Sequence, residues 1–189
     1  MTASAAGGEI MAITTKNIFI TGKPGSGKTT LIKEACLPFL PQVGGFYTEE
    51  IREGTKRMGF RLKTFDGREG VLARKGMKSA YKLDKYGVNL EVLEGIGICS
   101  MRNALQEKRV IVIDEVGSME ILSDAFRAAL MECLLSPRKV LATIRYNAQP
   151  FTDEVKKMGE TTLLTVSRDD FVQRKAQLRA WLGAAPQDR

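Results

Sequence analysis

Ile18-Phe19-Ile20-Thr21-Gly22-Lys23-Pro24-Gly25-Ser26-Gly27-Lys28-Thr29 runs from an apolar stretch into the pattern G-x-x-x-x-G-K-[ST], and Thr30-Leu31-Ile32-Lys33-Glu34-Ala35 continues it as a helix. Strand, glycine-rich loop and helix, in that order, form the setting in which this pattern grips phosphate. The glycines permit torsions that a Cβ forbids, so successive N–H groups turn inward around a polyphosphate. A helix starting near Lys28 points its positive end at the same anion. Lys28 is expected to set its ammonium on the β- and γ-phosphates, and Thr29 to ligate Mg²⁺ through its hydroxyl. Pro24 pre-sets one turn of the loop. Gly22, Lys23, Pro24, Gly25, Ser26, Gly27, Lys28 and Thr29 are thus the expected nucleotide-binding loop. The plain alternative is a glycine-rich turn that binds nothing, and the flanking strand and helix weigh against it.

Outward from the loop, Lys16–Thr21 reads as the first strand and Thr29–Leu37 as a short helix stopped by Pro38. Gly45–Ile51, Met58–Phe65 and Val71–Arg74 alternate apolar and polar residues, with turn signals at Glu53-Gly54-Thr55-Lys56 and Asp66-Gly67-Arg68-Glu69-Gly70. They predict an antiparallel meander inserted over about residues 45–75. Gly76–Asp84 reads as a basic loop without period. Leu90–Leu105 has helical spacing, weakened by Gly95 and Gly97. Val110-Ile111-Val112-Ile113 is a continuous apolar run, the mark of a parallel strand buried on both faces. Ser123 caps a helix through Leu135, Val140–Ile144 is the next strand, and Thr152 caps a short helix to Met158. Thr162–Val166 is the last strand, and Ser167-Arg168-Asp169-Asp170 resembles a capping box before a helix carrying Phe171, Leu178, Trp181 and Leu182. Strands alternating with helices predict an α/β fold with a mainly parallel central sheet. One domain over 16–189 is expected, behind a loose tail over 1–15.

Asp114-Glu115 follow the buried run directly, at the carboxyl end of the strand, where ligands gather in such sheets. Asp114 fits the Walker B role of holding Mg²⁺, and Glu115 is placed to polarise an attacking water. An exposed pair of turn acids is the plain alternative. Lys28, Asp114 and Glu115 are therefore the expected catalytic residues. Thr143, ending the strand after this one, is a candidate γ-phosphate sensor. Arg145 is a candidate arginine finger beside Arg52, Arg57 and Arg61, and Arg168 a candidate for lying over the base. Phe46 and Tyr47 read as core and face residues.

Histidine is absent from the 189 residues, which removes Ser–His–Asp triads and H-E-x-x-H zinc sites. Cys36, Cys99 and Cys133 are odd in number and far apart. They read as buried free thiols in a reducing cytoplasm. No apolar stretch reaches the roughly 18 residues of a membrane span, and the start lacks the pattern of a signal peptide. The net charge of +7 is concentrated: Arg52 to Lys85 holds eleven Lys/Arg and four Asp/Glu, whereas the remainder carries eighteen of each. This basic segment reads either as a solvated outer face or as a docking surface for an anionic partner, nucleic acid or nucleotide.

Gly22–Thr29, Gly45-Phe46-Tyr47-Thr48-Glu49-Glu50-Ile51-Arg52-Glu53-Gly54, Gly59-Phe60 and Asp114-Glu115-Val116-Gly117-Ser118-Met119-Glu120 together resemble the thermophilic-type nucleoside-triphosphatase family. The resemblance runs over most of Asn17 to Phe171. It implies a RecA-like P-loop domain that hydrolyses nucleoside triphosphates with broad base tolerance and Mg²⁺. The family's nucleotide segments fall on Gly22–Thr29 and on Val110, Ile111, Val112, Ile113, Asp114, Glu115, Val116 and Gly117, of which the strand residues are mainly structural. Ser167-Arg168 stands where the family often has Asn-Arg. A cytoplasmic monomer with slow turnover is expected. The rival readings are a P-loop kinase, which would carry an arginine-rich lid late in the chain, and a nucleic-acid-associated ATPase. The segment Arg145–Met158 offers only Arg145, Lys156 and Lys157 for such a lid.

Overall fold

The structure, a computed structural model, describes residues 12–184. β1 (Asn17–Thr21) leads through the glycine-rich loop to α1 (Lys28–Cys36), and a 3₁₀ turn, Leu37–Gln42, carries Pro38 and Pro41. β2 (Val43–Glu53), β3 (Lys56–Thr64), β4 (Glu69–Lys75), β5 (Tyr81–Leu83) and β6 (Tyr86–Val88) follow. One helical stretch then begins as α2 (Leu90–Val92), widens into a π-helical segment (Leu93–Ile98) and continues as α3 (Cys99–Glu107). β7 (Val110–Val116), α4 (Asp124–Leu135), β8 (Lys139–Ile144), α5 (Pro150–Lys156), β9 (Thr161–Thr165) and α6 (Phe171–Gly183) complete the chain.

All nine strands form one sheet in the order β5–β6–β4–β3–β2–β7–β8–β1–β9. The five from β2 to β9 are parallel, and β3, β4, β6 and β5 continue the sheet antiparallel. β8 separates the loop strand β1 from β7. Alternation along each strand sends side chains to opposite faces. Ile18 and Ile20 join Val110 and Val112 under α1 and α6, against Leu31, Ile32, Leu178 and Trp181. Phe19, Ile111 and Ile113 face the other way, toward Met101, Phe126 and Leu130 of α3 and α4. The continuous apolar run thus serves two cores at once.

β2 belongs to both halves of the sheet. Val43 to Phe46 pair with Val110 to Ile113 in parallel, and from Phe46 onward the strand pairs antiparallel with β3. Gly45 sits at the transition with φ +102, where a Cβ would lie 2.1 Å from the Val112 carbonyl oxygen. Gly97 serves another close approach: its missing Cβ lets the π-helical segment settle on Leu62 and Phe46.

Several expectations need correction. Gly76–Asp84 is no mere loop, because Tyr81–Leu83 forms the sheet edge in a hairpin with β6 and extends the antiparallel strands to Val88. The short helix before β9 is capped by Gln149, whose side chain accepts from Thr152 N–H at 2.8 Å; Pro150 takes its first position. Of the capping box, only the half in which Asp170 accepts the Ser167 N–H, at 2.8 Å, is formed, and α6 starts at Phe171. Cys36 and Cys133 are buried, but Cys99 is exposed. The tail over residues 1–11 lies outside the described residues, whereas Ile13 packs on the core and Trp181 Nε1 donates to Thr15 at 2.8 Å.

Candidate active site

The loop leaves β1 at Gly22 and enters α1 through Gly27, whose left-handed φ of +90 suits only a residue without a Cβ. Gly25 shares that region with φ +79. Lys28 Nζ donates to the Gly22 carbonyl at 3.1 Å, so the ammonium already hangs over the loop it would serve. A cleft of about 660 Å³ opens here, lined on one side by Gly22, Pro24, Gly25, Gly27, Lys28 and Thr29. Lys23 and Ser26 do not line it; Ser26 Oγ is buried without a partner.

Across the cleft stand Thr48, Glu49, Glu50 and Arg57 from the antiparallel strands, together with Glu115, Gly117, Ser118 and Arg145. Asp114 lies beneath, only 1% exposed. Its Oδ1 accepts from Thr143 Oγ1 at 2.5 Å, while Oδ2 is buried with no hydrogen-bond partner. Burial holds the Asp114 carboxyl above its ordinary range, against the opposing pull of Thr143, Thr29, the Thr48 backbone and the Lys28 charge. Glu115 is also raised, first by burial; the Lys28 and Arg145 charges work against this and Asp114 with it. A carboxyl oxygen without a partner, next to the Thr29 hydroxyl, is a donor set suited to a hard divalent cation that takes its other ligands from substrate phosphates and water.

The segment after β7 is fastened from below. Glu120, 5% exposed, accepts the Gly117 N–H on Oε2 at 3.1 Å. Burial pushes its carboxyl up to about 8, with the Glu115 charge adding to the effect. Arg145 Nη1 donates to Ser118 Oγ at 2.7 Å. On the far wall Lys33 of α1 meets Glu49 of β2 at 2.5 Å, and Lys63 meets the same carboxylate at 3.1 Å. The Lys33 hydrogen bond leads in holding Glu49 below its ordinary range. Arg57 pairs with Glu50.

Among the sequence-derived site residues, the structure gathers Lys28, Thr29, Asp114, Glu115, Gly117 and Arg145 about one cleft. Val110, Ile111, Val112, Ile113 and Val116 are at most 1% exposed and offer no surface to a nucleotide; they position the acid pair. Thr143 is fully buried, and its hydroxyl donates to Asp114. Arg168 is exposed in the turn after β9, away from the cleft lining. Arg52 and Arg61, paired with Glu50 and Glu69, do not themselves line the cleft. Sequence reasoning missed Thr48 and Lys33. The signal for Thr48 lay in strand register, since Phe46 opposite Ile113 carries β2 on past the acid pair.

A phosphate loop ending β1, an acid pair ending β7 and one strand between them define a RecA-like P-loop nucleotide-binding domain. The NTPase family model matches residues 17–176, and the chain belongs to that family. It is 47% identical over 150 residues to the nucleoside-triphosphatase THEP1 of Thermotoga maritima, covering 79% of this chain and 86% of the relative. Among solved structures, THEP1 from Aquifex aeolicus superposes with a TM-score of 0.81 at 31% identity, over 89% of this chain and 99% of the other. A human cancer-related nucleoside triphosphatase superposes with 0.72 at 32% identity, over 86% and 93%.

Proposed function

We infer that this protein hydrolyses nucleoside 5′-triphosphates, ATP and GTP among others, to nucleoside diphosphate and phosphate. The observation that carries this reading is the meeting of Lys28, Thr29 and the Asp114–Glu115 pair at one cleft. The loop amides and the Lys28 ammonium neutralise the β- and γ-phosphates. Thr29 and Asp114 would hold Mg²⁺, which would supply positive charge to the phosphate oxygens. Glu115 orients the in-line water and takes its proton, a task that its raised proton affinity suits. Arg145 stands on the opposite wall, held by Ser118, whereas Arg168, in the exposed turn after β9, is outside the cleft lining. With so few charged groups aimed at the γ-phosphate, turnover is slow, on the order of 10⁻⁴ to 10⁻² s⁻¹ if Arg145 does not contribute. The setting is a reducing cytoplasm, with the protein acting as a monomer.

Phosphate release from the four common triphosphates, with and without Mg²⁺, tests this directly. Release from all four that depends on the metal is expected. Loss of γ-phosphate only when an acceptor alcohol is added, without free phosphate, would reject hydrolysis.

A further inference from the structure

The charge excess of the basic segment is not spread evenly once ion pairs are drawn. Arg52 and Arg57 share Glu50, Arg61 meets Glu69, Lys63 meets Glu49 and Glu69, Arg68 meets Asp66, and Arg74 meets Glu53. Each arginine of β2, β3 and β4 therefore has a carboxylate partner, with Arg52 and Arg57 sharing one. Lys56, Lys75, Lys78 and Lys82 have no ion pair among the described residues, and Lys85 has only a loose one, 3.8 Å from an Asp84 carboxylate that is itself 76% exposed. Three of these five, Lys78, Lys82 and Lys85, stand on the β5–β6 hairpin or the turn leading into it, at the outer edge of the sheet.

That hairpin is concave. Residues 76–80 fold over Gly87, leaving a hollow of about 580 Å³ lined by Lys78, Ser79, Lys82, Lys85, Tyr86 and, as its one acid, Asp84. The fold there is fixed: Ser79 Oγ donates to the Val88 carbonyl at 2.6 Å and accepts the Tyr81 N–H at 3.0 Å. Gly87 is needed because a Cβ would lie 2.2 Å from the Met77 carbonyl oxygen. On the same edge strand Tyr81 is 47% exposed, the one large exposed apolar side chain of the hairpin; it alternates with Lys82, so it leaves the opposite face of the strand and is outside the lining of the hollow.

We propose that the β5–β6 hairpin is a binding surface for single-stranded nucleic acid, with Lys78, Lys82 and Lys85 on successive phosphates and Tyr81 stacking on a base. A flexible strand laid over the outer edge of the sheet reaches the lysines on one face of β5 and the tyrosine on the other, and positive charge with an aromatic platform is the combination that binds single strands without sequence preference. A lipid surface would need an apolar anchor to accompany the lysines, and the hairpin has none beyond one tyrosine.

The test is fluorescence anisotropy of a labelled 20-nucleotide oligo(U) against the full chain, from about 50 to 200 mM salt. Lys78→Gln/Lys82→Gln/Lys85→Gln and Tyr81→Ala are the variants, and their melting curves and phosphate release check that the fold and the nucleotide cleft are intact. The native chain is expected to bind with a dissociation constant on the order of 10⁻⁶ to 10⁻⁴ M and a log–log salt slope of about −2, as about three phosphate contacts on a single strand require. The triple variant should bind at least about tenfold more weakly with a slope near zero, and Tyr81→Ala several-fold more weakly. Absence of saturable binding at the lowest salt, or a triple variant that binds like the native chain, would overturn the proposal. So would tighter binding to heparin, to anionic vesicles or to a duplex than to the oligonucleotide, or an unaffected Tyr81→Ala.

Discussion

Asp114 is held by one donor and left open on one side. Thr143 fixes Oδ1, while Oδ2 is buried without a hydrogen-bond partner. Thr143→Val removes that donor with almost no change of shape and strands a buried carboxylate oxygen, at about 1–3 kcal/mol. A fall in Tm of roughly 2–12 °C is expected, together with slower phosphate release; unchanged values in both would deny Thr143 its positioning task. Glu115→Gln keeps the size of the side chain and removes the base. Nucleotide should bind as before while kcat drops about 10²-fold or more, and an unaltered kcat removes Glu115 from the reaction. Glu120 sets a pH dependence. Its unfolded value is the ordinary 4.5 and its folded value about 8. Between these the folded chain keeps a proton that the unfolded chain has lost, so stability falls as pH rises across that interval. Glu120→Gln still accepts the Gly117 N–H without titrating, and its Tm should decline less than that of the native chain between about pH 5 and 9. Parallel declines would show that the carboxyl does not titrate there.

At the scale of elements, the join between the parallel and antiparallel strands rests on Gly45. Gly45→Ala meets both a positive φ and the Val112 carbonyl oxygen at 2.1 Å, and should cost at least about 2 kcal/mol, read as a Tm lower by roughly 4–8 °C. A variant that melts like the native chain would mean that β2 lies differently on β7. The parallel strands and the loop were legible in the sequence because each is dictated locally, Val110–Ile113 by burial on two faces and Gly22–Thr29 by torsions and charge. The acid pair was legible because it ends such a strand. The β5–β6 hairpin was not: Tyr81-Lys82-Leu83 is three residues long and rich in charge, and it becomes a strand only because β4 offers β6 an edge. Gly95 and Gly97 read as helix breakers, yet Gly97 is what close packing on Leu62 demands. Thr143 on Asp114 was beyond reach for a related reason, since it depends on β8 standing between β1 and β7.

For the whole molecule, the cleft joins parts that are far apart in the chain, so ligand and fold must be coupled. ATP at about 100 times its dissociation constant adds about 2.7 kcal/mol to stability, a rise in Tm of roughly 5–11 °C. Lys28→Ala should abolish that rise while melting like the native chain without nucleotide. A rise of the same size in the variant would put the nucleotide elsewhere. The wall opposite the loop is tied to α1 through Lys33 and Glu49, with Lys63 behind them. These side chains are partly exposed, so the tie guides orientation more than it adds stability.

β2 also governs how the site can open. Eleven unbroken residues run from the parallel strands into the antiparallel ones, so the chain offers no joint there about which one part can swing over the other. Admission to the γ-phosphate side must come from twisting of a paired ribbon and from side-chain rotation, and amide protons from Val43 to Ile51 should exchange at one common slow pace. A fast patch within them would reveal a flap after all.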